Sequence, residues 1–214
     1  FLKCRGARKV DGWFVSHADE DHISGLKEVW ESGYPIENLF LSRWIPRDET
    51  WQELCRLAGQ YGTEIVYLNA GDVVGSGELS FTCLYPWEEV ADKNDASLAL
   101  HMSSPFLTAF FGGDLSTGAE KKLAERYEYG AVDLYKALHH GSDGSNSETL
   151  LSLLRPAVSV VSCAAENSYG HPGEYAMERI EARGSRIFYT MVGGQITVGA
   201  DEKGVWVEEF VGKK

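Results

Sequence analysis

Short β-like runs alternate with amphipathic helical stretches along the whole chain, and this alternation limits the possible folds more than any other feature. The final third repeats one theme. Strand 132–137 leads to the polar loop HHGSDGSNS and helix 148–154. Strand 158–162 then leads to the loop ENSYGHPG and helix 174–183. Earlier, Ile23, Leu26, Val29 and Trp30 recur at helical spacing over 23–31, and Gly33 closes that helix. Helix 48–61 collects Trp51, Leu54, Cys55 and Ala58 on one face. Strands are expected at 11–16, 39–41, 65–68, 73–74, 79–85, 97–102 and 107–111, with helix 117–127 after them. Three more, at 187–189, 195–198 and 205–210, end the chain. Strands interleaved with helices call for an α/β architecture of layered sheets with helices outside.

The 214 residues are expected to form a single domain, 1–214. A globule of this length buries enough surface to need no disulfide staples. Charged residues make up 24% of the chain and hydrophobic ones 43%, which argues against disorder. The formal net charge of -12 argues against a general electrostatic grip on nucleic acid, which needs a basic face. It leaves room for a nuclease whose local field comes from bound cations. No apolar run reaches the length of a membrane span, and the start lacks a signal-peptide pattern. The first residue is Phe1 rather than Met, so the chain is expected to be a piece of something longer. Cys4, Cys55, Cys83 and Cys163 form no C-x-x-C pair, which excludes the usual thiolate zinc site. Each is expected to be a small buried residue, with the redox compartment open.

Five of the six histidines fall in polar loops at the ends of expected strands, where a rigid sheet aims side chains into a shared cleft. The densest cluster runs from Ser16 to Gly25. His17, Asp19, Asp21 and His22 fall within six residues of a strand-to-helix turn. Imidazole and carboxylate without thiolate suit Zn, Mn or Fe. Asp114 follows an apolar strand, where its two oxygens can bridge two cations. His139 and His140 leave another strand, and adjacent histidines cannot both face a core. His171 sits in a turn stiffened by Gly170 and Pro172. His101 lies inside a strand and reads as structural, and Trp13, Trp30 and Trp51 fall at core-like spacing; Trp44 and Trp87, in loops beside Pro46 and Pro86, could line a cleft, with core packing the favoured role.

These segments resemble the metallo-β-lactamase superfamily, and within it the hydrolase domain of ComEC-type competence proteins. The family pattern S-H-x-D-x-D-H-x-x-G matches Ser16 to Gly25. N-x-x-S matches Asn94 to Ser97, G-D matches Gly113-Asp114, H-H-G-S matches His139 to Ser142, and N-x-Y-G-H-P matches Asn167 to Pro172. The matches follow the family order over nearly the whole chain. The resemblance implies a four-layer αβ/βα sandwich with a metal site along one edge. It also implies that the chain lacks the first N-terminal strands. Two features depart from the wider superfamily. Asp19 stands where a second His is usual, and the separate His before the bridging Asp is absent. Both make the site richer in oxygen, which favours Mn beside Zn.

By resemblance, one divalent cation takes His17, Asp19 and His140, a second takes Asp21, His22 and His171, and Asp114 bridges them. His139 is then the proton donor to the leaving group, with the exchange of roles between His139 and His140 left open. Ser142 and Asn94 are candidates for contact with substrate oxygens. The implied activity is a two-metal phosphodiesterase or nuclease acting on DNA during competence-related uptake. Alternatives are a small-molecule ester hydrolase of phosphorylcholine-esterase or lactonase type, and a non-catalytic relic. Expected partners are DNA or another phosphodiester, and a membrane channel domain in the full-length protein; no obligate protein partner is evident. The resemblance places such a domain membrane-associated on the extracytoplasmic face. A stand-alone form would be soluble, its compartment open.

Overall fold

The structure, a computed structural model, describes residues 2–211. A three-stranded parallel sheet is built in spatial order from β1 (Val10–Phe14), β2 (Ile36–Ser42) and β3 (Glu64–Leu68). Helices α1 (Glu20–Glu31) and α2 (Glu49–Tyr61) cover its outer face. Ile23, Leu26 and Trp30 of α1 and Leu54, Leu57 and Ala58 of α2 are buried against Leu39 and Leu41. Full burial of one such side chain stabilises by roughly 1.5–3 kcal/mol. The buried Trp30 indole stays satisfied, because its Nε1 donates to Thr63 Oγ1 at 2.9 Å. Asp48 caps α2 by accepting from the Trp51 backbone N–H at 3.0 Å.

The second sheet has seven strands. β4 (Val73–Ser76), β5 (Leu79–Tyr85), β6 (Ala99–Ser103) and β7 (Thr108–Phe111) pair antiparallel in sequence. β8 (Leu134–Lys136), β9 (Val158–Val161) and β10 (Arg186–Tyr189) continue the sheet in parallel from β7. Its outer face carries α3 (Thr117–Ala124), α4 (Glu148–Leu154) and α5 (Glu174–Glu181), packed on Phe110 and Tyr135. A hairpin of β11 (Gln195–Asp201) and β12 (Gly204–Phe210) forms a separate ladder.

Strand alternation glues the two sheets together. Leu39 and Leu41 face the helices while Phe40 between them faces the other sheet. Phe40 meets Leu68, Cys83, Leu98 and Leu100 there, with the rings of Phe14 and Phe40 stacked at 4.6 Å. On the far sheet Phe110 faces α3 and α4 while Phe111 faces the inter-sheet layer. The result is helices, sheet, sheet, helices: the four-layer arrangement that the resemblance implied.

Several boundaries move. The first strand ends at Phe14 rather than at 16, and α1 begins at Glu20 rather than at 23. Asp21 and His22 therefore ride the first helical turn, while Ser16, His17 and Asp19 lie in the loop before it. β6 starts at Ala99, which leaves Ser97 in a loop. Helices 117–127 and 174–183 shorten to end at Ala124 and Glu181. All four cysteines are free, but only Cys83 is fully buried, Cys4 being exposed because the turn that carries it buries none of its residues. Among the tryptophans Trp30 alone is fully buried; Trp13, Trp51 and Trp87 pack half-buried against the cores, whereas Trp44 belongs to no core and lines a surface cavity, because it sits in the loop that leaves β2. His101 is buried in β6 and stacks on Tyr129 at 4.4 Å, away from the other histidines. No helix among the described residues is long and apolar enough to cross a membrane.

Candidate metal centre

Four strand ends converge on one edge of the sandwich. β1 delivers Ser16 to His22, β7 delivers Gly113-Asp114, β8 delivers His139-His140, and β9 delivers the loop that holds His171. Asp19 precedes α1, and its backbone carbonyl accepts from His22 N at 2.9 Å and Ile23 N at 3.2 Å. Its carboxylate makes no capping bond.

The Asp114 carboxylate lies at the centre of the histidines. Its Oδ1 is 3.3 Å from His22 Nε2, and its Oδ2 is 3.7 Å from both His139 Nε2 and His140 Nε2 and 4.0 Å from His17 Nε2. Burial alone would raise this acid. The His22 bond and the surrounding imidazoles outweigh that and hold it down at about 2. Burial, and then His22, push the pKa of buried His17 below the ordinary histidine value.

Two groups of three potential ligands result. The donor atoms of His17, His22 and Asp114 lie within 4.8 Å of one another, as do those of Asp21, His22 and His140. Asp21 Oδ2 is 3.1 Å from His140 Nε2 and 3.6 Å from His22 Nε2. This grouping differs from the partition that the resemblance implied. His140 lies with Asp21 and His22 rather than with His17 and Asp19, whose nearest approach is 3.9 Å between His17 Nε2 and Asp19 Oδ2. The reason is tertiary: β8 is next to β7 in the far sheet, which sets its end beside the first turn of α1. His171 lines the cleft outside both groups, its ring 5.5 Å from that of His139. Burial, His139 and His140 lower its pKa.

The donor set fits divalent cations. His140 Nδ1 is 2.8 Å from the Ser162 carbonyl, so that nitrogen carries the proton and Nε2 presents a lone pair. Nε2 of His22 and Nε2 of His140 are 3.2 Å apart. That spacing suits two nitrogen ligands on a tetrahedral ion with bonds of ~2.0–2.1 Å.

Backbone strain aims the His-His pair. Both residues have positive φ, 49° and 54°, inside a single 3-10 turn spanning Leu138–Gly141. Such conformations cost on the order of 1–3 kcal/mol each and persist only where the surroundings impose them. Here His139 N donates to the Gly113 carbonyl at 3.1 Å, and Ser142 N to the His139 carbonyl at 2.8 Å. Asn146 brackets Leu138, accepting from its N–H at 3.0 Å and donating to its carbonyl at 3.1 Å. Asn94 lines the cleft, a cavity of 380 Å³ shared with Asp19, Asp21, Asp114, His139, His140 and His171. Ser142 lines no described cavity; its Oγ accepts from Gly144 N at 3.2 Å and so holds its own turn.

Other residues in the site carried weaker sequence signals. Ser97 Oγ accepts from Asp114 N at 3.1 Å and lies 3.2 Å from His17 Nδ1. Lys136, the last residue of β8, lines a second cavity of 410 Å³ between the sheets, with His22 and Asp114. A lysine ending an otherwise apolar strand just before His-His was its only signal. Tyr169 is largely exposed at the mouth of the cleft and stacks on His171 at 5.9 Å.

With this geometry in view, comparison with known proteins is informative. The chain is 27% identical over 197 residues to ComE operon protein 3 of Bacillus subtilis, covering 92% of this chain and 25% of that protein. It is 25% identical over 212 residues to competence protein ComA of Neisseria gonorrhoeae, covering 95% of this chain and 27% of the relative. Recombination protein 2 of Haemophilus influenzae is 27% identical over 187 residues, or 86% and 21%. The chain is a homologue of the ComEC-type competence proteins. It spans about a quarter of the length of those ComEC-type relatives. No family model matches it. Among solved structures, the metallo-β-lactamase fold protein YhfI of Bacillus subtilis superposes with a TM-score of 0.55 at 11% identity, covering 88% of this chain and 78% of that one. CmlA, a diiron β-hydroxylase from Streptomyces venezuelae, gives 0.57 at 13% identity, covering 84% and 43%. The fold is that of the metallo-β-lactamases.

Proposed function

We propose that the chain is a two-metal phosphodiesterase that cleaves DNA, serving competence-related uptake. One observation carries this reading: a single carboxylate, Asp114, has its two oxygens turned to histidines from two distant segments of the chain, with Asp21 beside them. His17, His22 and Asp114 would hold one cation, and Asp21 and His140 would approach the other, with Asp19 and His171 completing the set. Zn or Mn suits these donors. Such a pair supplies concentrated positive charge that polarises a phosphoryl oxygen and acidifies water.

The chain's own residues do the rest. Asp114 fixes the centre, and Ser97 and the Ser162 carbonyl hold it and His140 in place. His139 faces the cleft without belonging to either ligand group, so it is the residue that passes a proton to the leaving oxygen. Asn94 and Tyr169 orient the substrate at the mouth. The DNA substrate and a membrane-linked, extracytoplasmic setting follow from the competence relatives and belong to this proposal.

With Mn or Zn, the protein should hydrolyse bis(p-nitrophenyl) phosphate and cut linear DNA. Asp114→Ala, His22→Ala and His140→Ala should each abolish both activities. Retained activity in all three refutes the site. Turnover of lactones or choline phosphoesters with no action on DNA refutes the substrate.

A further inference from the structure

A second concave site opens on the same edge as the metal cleft. β1 and β2 run parallel, so the loop after β2 emerges beside the loop that carries His17. β5, β6 and β7 alternate in direction, so β5 ends at the edge where β7 leads into Asp114. Between these two exits lies a cavity of 570 Å³, lined by Arg43, Trp44, Pro46, Arg47, Glu89 and Val90 among others. Its size lies within the range of small-ligand sites.

The lining carries two arginines against one glutamate, in a chain of net charge -12. Among the described residues neither Arg43 nor Arg47 is paired with a carboxylate, although Glu89 also lines the wall. Arg47 is held by aromatic rings instead. Its guanidinium carbon lies 4.6 Å from the Trp51 ring centroid and 5.2 Å from that of Tyr67. The two rings are themselves tied, since Trp51 Nε1 donates to Tyr67 Oη at 3.1 Å. The cation is thereby positioned without being neutralised. Trp44 Nε1 is a buried donor with no partner, a rare state for an indole N–H.

The cavity also adjoins the cleft. Asp48, next to Arg47, accepts from Lys93 Nζ, and Lys93 is next to Asn94, which lines the metal cleft.

Two unpaired guanidinium groups beside the Trp44 ring form the combination that binds successive phosphates and an unstacked base. A duplex would need a broad basic face that this chain lacks. We infer that the 43–47 loop is a subsite for a single-stranded polynucleotide, taking the nucleotide that flanks the scissile phosphodiester. This deepens the phosphodiesterase reading and rests on it.

The test measures binding without turnover. Fluorescence anisotropy of a labelled oligothymidylate is followed with the whole chain in chelator, over a range of salt. Wild type should bind it more tightly than a duplex of equal length. Arg43→Ala/Arg47→Ala should weaken binding roughly tenfold or more and flatten the salt slope by about 1.4, at ~0.7 per single-strand phosphate contact. Trp44→Leu, which removes the stacking ring, should weaken binding several-fold and serves should the double variant fail to fold. A wild type that does not bind the oligonucleotide overturns the inference. So does a double variant with wild-type affinity and slope, a duplex bound equally well, or competition by polyglutamate as strong as by unlabelled oligonucleotide. Absence of phosphodiester hydrolysis by the wild type with Mn or Zn would sink the catalytic reading by itself, since the binding result is read without metal.

Discussion

At the scale of single residues, the centre depends on groups that touch no substrate. Ser97 Oγ serves Asp114 N and lies against His17 Nδ1. Ser97→Ala leaves the buried Asp114 N–H unpaired, at a cost of about 1–3 kcal/mol. It should also lower metal affinity by roughly 10–100-fold, as loss of a ligand-orienting partner does. Calorimetric titration with Mn or Zn checks this, and an unchanged affinity would remove Ser97 from the site. Gly113 is a harsher case. Its φ is 57°, and a Cβ there would sit 2.6 Å from Ser97 Oγ and 2.7 Å from Ser16 Cβ. Gly113→Ala should therefore cost more than the ~1–2 kcal/mol of an L-residue in that conformation, because Ser16 and Ser97 must also move. Urea denaturation should show it to be less stable than Ser97→Ala.

At the scale of elements, two helices clamp the segment that follows His139-His140. From α3, the buried Glu120 carboxylate accepts from Asn146 N and Ser147 N, each at 2.5 Å. From α5, Arg179 donates to the carbonyls of Asp143, Ser145 and Asn146 at 2.8–2.9 Å. Burial raises the Glu120 pKa to about 7, against the bonds that lower it. The folded protein thus binds this proton more tightly than the unfolded chain, where the group titrates near 4.5. Its contribution to stability is fully present below pH ~4.5 and is lost as pH rises through about 7. The stability difference between wild type and the non-titrating Glu120→Gln should fall by roughly 3 kcal/mol across that window. Denaturation at pH 4.5 and pH 8 checks it, and a flat difference would show that the carboxylate stays ionised. None of this was legible in advance. The segments that meet at the candidate centre could be read because each packs its donor-type residues into a few consecutive positions at a strand end. Glu120 looked like any helix acid, and Lys136 like any strand terminus. The left-handed pair at 139–140 had no glycine to announce it. The pairing of His140 with Asp21 depends on which strands become neighbours, which local spacing does not contain.

At the scale of the molecule, the centre lies across the junction of the two sheets. His17, Asp21 and His22 belong to the three-stranded side, while Asp114 and His140 belong to the seven-stranded side. The layer between them is apolar and has little directional holding, being made of Phe40, Leu68, Cys83, Leu98 and Leu100. Cations bound there would therefore cross-link the two halves and stabilise only the folded state. At a free concentration of 100 times Kd, one such site contributes about 2.7 kcal/mol. For a chain of 214 residues that corresponds to a rise in Tm of roughly 5–11 °C. Adding Mn or Zn to chelator-treated protein should produce this shift in a calorimetric scan. The proposed grouping predicts how variants respond. His140→Ala removes a donor from the far sheet and should abolish most of the shift. His101→Ala, in the same sheet but away from the cluster, should start from a lower Tm yet keep the full metal-induced rise. Equal shifts in both would mean that the ion binds without joining the sheets.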